Sequence, residues 1–188
     1  KLFFTNPKTE LLAPRGAGCY QCHGGPMLNK QLGDEAGLLV EENFVNLGLG
    51  DHPLQALNAS VLGDPQHRDR GRMDVTGNPD HAFKFRVLSL RQLKDGRQYT
   101  HAGGFTRVRD VVENYNAGLP QDAEAGAAGT LSPRFANPRG PGSPRGLGLL
   151  ATEVDDLTDF LENGLYDPGF VQFDPSSPTR TFELNSQD

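Results

Sequence analysis

Two cysteines and a histidine stand in one short run, Cys19-Tyr20-Gln21-Cys22-His23, and are the residues best suited to chemistry. This CxxCH spacing is typical of a covalent c-type haem attachment site. Both thiols lie on one turn and would add to the two vinyl groups of the porphyrin, while the imidazole of His23 would bind the iron. We therefore predict one covalently bound haem c, attached at Cys19 and Cys22, with His23 as the proximal ligand.

A redox dithiol and a zinc site are the alternatives for a CxxC pair. A thioredoxin-like dithiol needs a βαβ pattern, which the sequence before Cys19 lacks. A tetrahedral zinc site needs two further ligands, and the sequence has no second CxxC and no HxxxH pair. Only 36% of the 188 residues are hydrophobic and none is Trp, so an apolar cofactor would complete an otherwise lean core. These features favour haem.

The net charge bears on which class of macromolecule the chain could bind. The chain has 18 basic and 24 acidic residues, a net charge of −6, which argues against nucleic acid. No apolar run is long enough to span a membrane. The sequence starts at Lys1 rather than Met, so we expect a mature chain or a fragment. Covalent haem attachment takes place outside the cytoplasm, which implies a periplasmic or otherwise exported protein.

Two helices are predicted from apolar side chains that recur at helical spacing. The first would begin with Thr106 as its N-cap and end at Gly118. Its buried face would consist of Val108, Val111, Val112 and Tyr115. The second would begin with Thr152 as its N-cap, carry acidic residues in its first turn and end at Gly164. Its buried face would consist of Val154, Leu157, Phe160 and Leu161.

The remainder, with 23 Gly and 14 Pro in the chain, is predicted to be mostly loop. An apolar anchor is expected at residues 2–4 and a short strand or extended arm within 83–93. Residues 44–50 are expected to be extended and rich in turns. A polar surface loop is expected at 64–80 and an irregular stretch at 119–148.

Several segments downstream of the CxxCH motif form an ordered series. They are FVNLGL at 44–49, GRMDVTG at 71–77, FKFRVLSLR at 83–91, YTHAGG at 99–104 and VVENYN at 111–116. From about residue 2 to 164, the series resembles the C-terminal haem domain of the bacterial di-haem cytochrome c peroxidases and the related MauG group. The resemblance implies a mainly α, cytochrome c-like haem domain with long irregular loops. We place this domain at 1–164 and expect 165–188 to be a C-terminal extension that packs on it or wraps it.

The resemblance also implies a distal iron ligand in the helix after the YTHAGG segment. That ligand is Met in typical peroxidases and Tyr in the MauG group, and the position corresponds to Tyr115. A phenolate ligand stabilises ferric iron, so Tyr115 predicts a low-potential haem. On residue type alone, an ordinary buried tyrosine with a hydrogen-bonded hydroxyl is the favoured interpretation of Tyr115. The rival ligands are Met27, which is too close to His23 in sequence, Met73, which is expected on the surface, and His101.

Two further residues are expected next to the haem without binding its iron. Arg91 matches the family's Ser-Leu-Arg segment, and its guanidinium would pair with a haem propionate. The alternative is a solvated surface arginine. His101 is also expected beside the haem. The other three histidines lie in polar segments, are expected to be solvated and are assigned no role; they are His52, His67 and His81.

The chain also departs from the family pattern. It has one CxxCH and no Trp, so the family's second haem, N-terminal domain and intervening Trp are missing. The family binds calcium through backbone carbonyls near a Thr-Ala-Pro segment. Here residues 96–98 read Gly-Arg-Gln. Gly96 and Gln98 could still offer backbone carbonyls to a calcium ion, but the partner domain is missing, which argues against calcium.

Two functional hypotheses follow for the chain. In the first, it is the electron-transfer domain of a larger peroxidase-type oxidoreductase. It then relays electrons from a redox partner, a small cytochrome or cupredoxin, to a second haem domain where hydrogen peroxide is reduced. In the second, it is a free-standing monohaem electron carrier or sensor without peroxidase activity. A variant of the second lets Tyr115 leave the iron and gives a weak peroxidase.

Overall fold

Helices predominate in the computed structural model, which describes residues 1–7, 15–29, 39–52 and 68–168 and the single positions 54, 55, 57, 61 and 63. The α-helices in these ranges are α1 (Arg72–Thr76), α2 (Val108–Ala117), α3 (Ala123–Ala127), α4 (Pro133–Ala136) and α5 (Ala151–Asp159). Short 3₁₀ turns occupy Leu2–Phe4, Cys19–Gln21, Val40–Asn43, Pro79–His81 and Leu93–Asp95. The prediction of a mainly α fold with long irregular loops is confirmed.

The described strands are two short segments that pair with each other. Strand β1 (Phe44–Val45) and strand β2 (Phe85–Arg86) are antiparallel, with Phe44 opposite Arg86. The predicted extended character of 44–50 and 83–93 is therefore confirmed at these positions. The pairing brings the segment that follows the attachment region next to the segment that precedes the YTHAGG motif.

Helix α2 lies where it was predicted, but it begins two residues after Thr106. Arg107 occupies the N-cap position in an extended conformation, and no side chain caps the helix there. The Arg107 guanidinium instead pairs with the Asp110 carboxylate at 2.6 Å, in the first turn. At the other end, Gly118 has φ 63 and its N–H donates to the Asn114 carbonyl. The C-terminal prediction is therefore confirmed, because this left-handed position favours glycine.

Helix α5 also lies where it was predicted, and its N-cap differs. Leu150, rather than Thr152, precedes the helix, and the Glu153 carboxylate accepts the Leu150 N–H at 2.8 Å. This carboxylate, at the third position of the helix, accepts the N–H of the N-cap residue itself, whereas the expected threonine hydroxyl would accept an N–H of the first turn. The helix continues into a wider π-type turn at Phe160–Gly164.

The core lies between α2 and α5. Phe3 is buried there and its ring packs 5.5 Å from that of Phe160, so the predicted N-terminal anchor is correct for Phe3. It is wrong for Phe4, which is 63% exposed and meets the Phe3 ring edge-to-face at 4.8 Å. The buried residues of this core include Ala17, Leu28, Val108, Val112, Leu147, Leu149, Val154, Leu157 and Leu161.

The stretch 119–148 was predicted to be irregular, and it contains the two short helices α3 and α4. The side chain of Asn46, which belongs to residues 44–50, forms hydrogen bonds with this stretch. Its fully buried side-chain amide donates to the Ala125 carbonyl and to the Thr130 hydroxyl, each at 3.0 Å. Its side-chain oxygen accepts the Gly48 N–H at 2.7 Å. A single asparagine therefore holds this stretch against residues 44–50.

The polar stretch 64–80 was predicted to be a surface loop. Residues 74–80 are exposed, as expected, but the described part contains α1 and the turn at Pro79–His81. Arg72 explains the difference. Its guanidinium binds the Glu41 carboxylate at 2.5 Å and lies 4.6 Å from the centre of the Phe44 ring. Contacts with Glu41 and Phe44 thus stabilise a helix in a stretch whose polar composition predicts a loop.

The histidines outside the CxxCH motif differ in their surroundings. His81 was expected to be solvated, but its side chain is only 15% exposed and bonds the Thr76 hydroxyl at 2.9 Å. His52 accepts the Leu54 N–H through Nδ1 at 3.0 Å. His67 lies outside the described residues.

The start of the proposed C-terminal extension lies against the turn at Leu93–Asp95. The Asp167 N–H donates to the Gln92 side chain at 2.7 Å, and Lys94 lies 5.2 Å from the centre of the Tyr166 ring. Residues 169–188 lie outside the described part, so a wrapping extension stays a prediction. No helix among the described residues is both long and apolar enough to cross a membrane.

We expect Asn46→Ala to lower the free energy of unfolding by about 2–3 kcal/mol, because it leaves a buried carbonyl and a buried N–H unpaired. Urea unfolding of the haem-loaded chain measures this. The control is Asn163→Ala, which removes exposed contacts to Lys94 and Asp159 and should cost less than about 0.5 kcal/mol. Equal losses in both variants would contradict the organising role of Asn46.

Candidate haem site

A cavity of about 310 Å³ opens beside the turn that carries the two cysteines. Five of the six residues predicted to serve the haem line it, namely Cys19, Cys22, His23, His101 and Tyr115. Its walls are mainly apolar and include Val45, Leu47, Leu49, Val87, Leu90, Val108, Val111, Val112, Phe135, Leu147, Leu157 and Leu161. An apolar cavity with a few convergent polar groups has the character of a cofactor site.

The two cysteines lie on one tight turn. The Cys22 N–H donates to the Cys19 carbonyl at 3.1 Å, and the His23 N–H donates to the same carbonyl at 2.8 Å. The two residues between the cysteines are tied to Asn6, because the Tyr20 hydroxyl and the Gln21 side-chain amide both donate to its side-chain oxygen. Both cysteines are free thiols and both line the cavity. The turn therefore presents two sulfurs to one side, as attachment at two vinyl groups requires.

Burial distinguishes this thiol pair from a redox dithiol. Desolvation raises the pKa of the Cys19 thiol to about 12, with a smaller contribution from the neighbouring Cys22. A reactive dithiol needs the opposite shift, since the thiolate is the nucleophile. A thioether sulfur carries no charge, so the same burial does not penalise covalently attached haem.

His23 has one ring nitrogen committed to the backbone. Its Nδ1 lies 3.0 Å from the Leu28 carbonyl oxygen and 3.1 Å from the Leu88 carbonyl oxygen. Carbonyls only accept hydrogen bonds, so Nδ1 carries the proton and Nε2 keeps its lone pair for a metal. Desolvation also lowers the pKa of His23, which keeps the imidazole neutral. The residue therefore has the tautomer and charge of an iron ligand.

Tyr115 lies on the inner side of α2 and packs edge-to-face on Phe135, with 5.5 Å between ring centres. Among the described residues, its hydroxyl has no hydrogen-bond partner, unlike the ordinary buried tyrosine weighed above. Burial raises the pKa of the phenol, and the nearby Cys22 and Cys19 raise it further. A bound cation reverses this preference, because a coordinating group loses its proton. The phenol oxygen is thus a polar atom that a metal would satisfy.

The two rival methionines lie outside the cavity, and His101 lines it. Met27 is 54% exposed, Met73 lies in α1, and neither lines the cavity. His101 lines the cavity, but its Nε2 is 2.8 Å from the Asp69 carboxylate and its ring stacks on Phe85 at 4.1 Å. This placement fits a neighbour of the cofactor, as predicted, rather than an iron ligand.

Arg91 is the one predicted site residue that the structure does not bring to the cavity. Its guanidinium donates through Nε and Nη2 to the Pro26 carbonyl, at 3.3 and 2.9 Å. The protein thus engages two of the guanidinium nitrogens, and the expected pairing with a propionate stays a prediction. The contact lies 65 residues away in sequence, on the loop that follows His23.

Sequence reasoning missed two other arginines that line the cavity, Arg86 and Arg134. Arg134 donates to the Gln21 carbonyl at 3.3 Å and lies 3.9 Å from the Cys22 sulfur. Its position in the Gly- and Pro-rich stretch carries no pattern that would reveal this contact. No Asp or Glu is found among the cavity-lining residues described. Cations without carboxylates suit a cofactor that bears two propionates.

The segment expected to bind calcium in the family is engaged by protein contacts here. The Tyr99 hydroxyl donates to the Gly96 carbonyl at 2.9 Å and to the Leu93 carbonyl at 2.8 Å. One of the carbonyls proposed for calcium is therefore already hydrogen-bonded. This contact agrees with the sequence argument against a calcium ion.

Comparison with known proteins identifies relatives, although no protein-family model matches the chain. The cytochrome-c peroxidase IdrP1 of Pseudomonas sp. (strain SCT) is 32% identical over 172 residues, covering 86% of this chain and 40% of that protein. The cytochrome-c peroxidase IdrP1 of Denitromonas iodatirespirans is 30% identical over 178 residues, with the same coverage. The chain thus spans about 40% of the length of these relatives.

Solved structures agree with the sequence relatives. A MauG-like protein associated with microbial copper homeostasis has a TM-score of 0.57 and 28% identity, over 80% of this chain and 43% of that one. The di-haem peroxidase BthA from Burkholderia thailandensis E264 has a TM-score of 0.57 over 89% of this chain and 41% of its own, at 23% identity. The resemblance inferred from the ordered motifs is therefore confirmed, and the homologues imply haem c as the cofactor.

We expect Tyr115→Phe to change the ferric optical and EPR spectra of the haem-loaded chain and to raise its midpoint potential. The reason is that phenylalanine removes an anionic ligand that stabilises ferric iron. The matched control is Tyr99→Phe, which removes a hydroxyl from the same cavity, but one already bonded to two carbonyls. An unchanged spectrum in Tyr115→Phe would refute ligation by this residue, as would a methionine-ligated signature in the unaltered protein.

Proposed function

Because the chain is homologous to part of the cytochrome c peroxidases and shares the fold of MauG-like and di-haem peroxidases, we propose that it is a haem-binding electron-transfer domain of a peroxidase-type oxidoreductase. It carries one haem c, attached at Cys19 and Cys22. His23 is the proximal ligand. The observation that carries this proposal is the single cavity in which both thiols, the free Nε2 of His23 and the unpartnered Tyr115 hydroxyl meet.

The ligand set supports electron relay rather than peroxide chemistry at this site. When bound, haem c supplies a one-electron iron(III)/iron(II) couple. If the iron bound both His23 and Tyr115, the protein would leave no position for peroxide. His23 would be held by its hydrogen bonds to the Leu28 and Leu88 carbonyls and Tyr115 by its place on α2, and mainly apolar walls would surround the cofactor. A phenolate from Tyr115 favours the ferric state, and the domain therefore works at low potential.

The proposed second haem domain follows from the fact that the chain covers only part of the length of its relatives. It spans about 40% of their length, and we assign the peroxidatic haem to a second haem domain in the remainder. A small cytochrome or cupredoxin supplies the electrons. Covalent attachment at Cys19 and Cys22 requires maturation outside the cytoplasm, so the protein is periplasmic or otherwise exported.

The first experiment tests covalent attachment. Expressed with an export signal in a host that matures c-type cytochromes, the chain should keep its haem on a denaturing gel and give a c-type pyridine haemochrome. Cys19→Ala/Cys22→Ala should lose covalent haem, because the two thioethers cannot form. A chain that never retains haem under denaturing conditions would overturn the proposal.

The second experiment tests electron relay. The haem-loaded chain should be reduced and reoxidised by a small redox protein in single one-electron steps, followed by stopped-flow spectroscopy. Its turnover of hydrogen peroxide should not exceed that of an equal concentration of haem peptide. The native source protein should turn over peroxide and carry a second haem. A native mass equal to this chain plus one haem would instead favour the free-standing carrier.

A further inference from the structure

The loop that follows the proximal histidine is held by a distant segment of the chain. The loop, residues 24–28, ends with the Leu28 carbonyl 3.0 Å from Nδ1 of His23. The distant segment, residues 88–91, begins with the Leu88 carbonyl 3.1 Å from the same nitrogen. Two carbonyls from different parts of the chain therefore share one imidazole N–H.

The same two segments are joined by side chains of 88–91. The Arg91 guanidinium donates twice to the Pro26 carbonyl. The Ser89 hydroxyl donates to the Met27 carbonyl at 2.7 Å and accepts the Arg91 N–H at 3.1 Å. Two consecutive carbonyls of the loop are thus bound by 88–91, and the third, that of Leu28, is bound by His23. This ladder fixes the register of the loop.

The loop needs such support because its backbone is strained at Leu28, whose carbonyl binds His23. Leu28 has φ 53, in the left-handed region that non-glycine residues rarely adopt. A strained residue keeps its conformation only where its surroundings over-determine it. Without the contacts to Pro26 and Met27, the backbone would relax, and the Leu28 carbonyl would turn away from the imidazole.

We propose that Arg91 is a positioning residue for the proximal ligand. By holding Pro26, and through Ser89 also Met27, it keeps the Leu28 carbonyl on His23. A hydrogen bond that Nδ1 donates makes the imidazole more basic, and a more basic ligand favours ferric iron. Arg91 therefore lowers the potential of the haem from a position outside its cavity. This role rests on the proposed binding of haem at His23.

The test compares Arg91→Lys and Arg91→Gln in the haem-loaded chain. Lysine keeps the charge and loses the planar fork of donors, while glutamine loses both. If Arg91 positions the loop, both variants shift the midpoint potential upward and alter the ferric EPR signal. If Arg91 instead pairs with a propionate, the lysine variant keeps its potential and the glutamine variant shifts downward, because loss of a cation disfavours the reduced state. The two roles therefore differ in sign.

Two further variants complete the test. Ser89→Ala removes a loop contact without any change of charge and should also raise the potential, which covers the case in which an Arg91 variant fails to fold. Arg97→Gln removes an exposed arginine that has no ion pair or hydrogen bond in the described part of the chain, and should leave the potential unchanged. Unchanged potentials in Arg91→Lys and Ser89→Ala would overturn the inference. Failure of the unaltered chain to attach haem would instead overturn the proposed function.

Discussion

One imidazole N–H and two backbone carbonyls set the chemistry of this site. Because Nδ1 of His23 donates to Leu28 and Leu88, the opposite nitrogen is the one left for iron. The bond to Leu88 also ties the attachment turn to the segment that continues from β2, and β2 pairs with β1. The position of His23 therefore depends on the pairing of β1 with β2 as well as on the CxxCH turn.

Desolvation favours the neutral form of three groups that line the cavity. It raises the pKa of Cys19 and of Tyr115 and lowers that of His23. A thioether link and an imidazole ligand are both uncharged, and the cavity suits them as it stands. A phenolate is charged, and only a cation in the cavity compensates for its burial. The proposed ligation of Tyr115 therefore depends on the ferric charge.

The parts of the structure that the sequence predicted are those determined by short-range spacing. The CxxCH turn, the inner face of α2 with Tyr115, and Gly118 at its end all follow from residues within a few positions of one another. The ordered family motifs added His101 and the extended segments. These predictions succeeded because each needs only local geometry or a pattern of residues in order.

The failures have a common physical origin in contacts between distant residues. The contact of Arg91 with the Pro26 carbonyl was not foreseen. Arg134 approaches Cys22 from 112 residues away, in a stretch without periodicity. The polar composition of 64–80 predicted a surface loop, whereas the described part contains α1, in which Arg72 contacts Glu41 and Phe44. Such partners become visible only when the chain is folded.

The reach of Asn46 has a consequence for the order in which the molecule assembles. Its amide joins partners 79 and 84 residues away, so its bonds require closure of long loops, which is entropically costly and slow. The turn that carries Cys19 and Cys22 needs contacts across only three or four residues. We therefore expect this turn to form before the wall around Phe135 closes, so that the porphyrin could be joined to a chain that is still open.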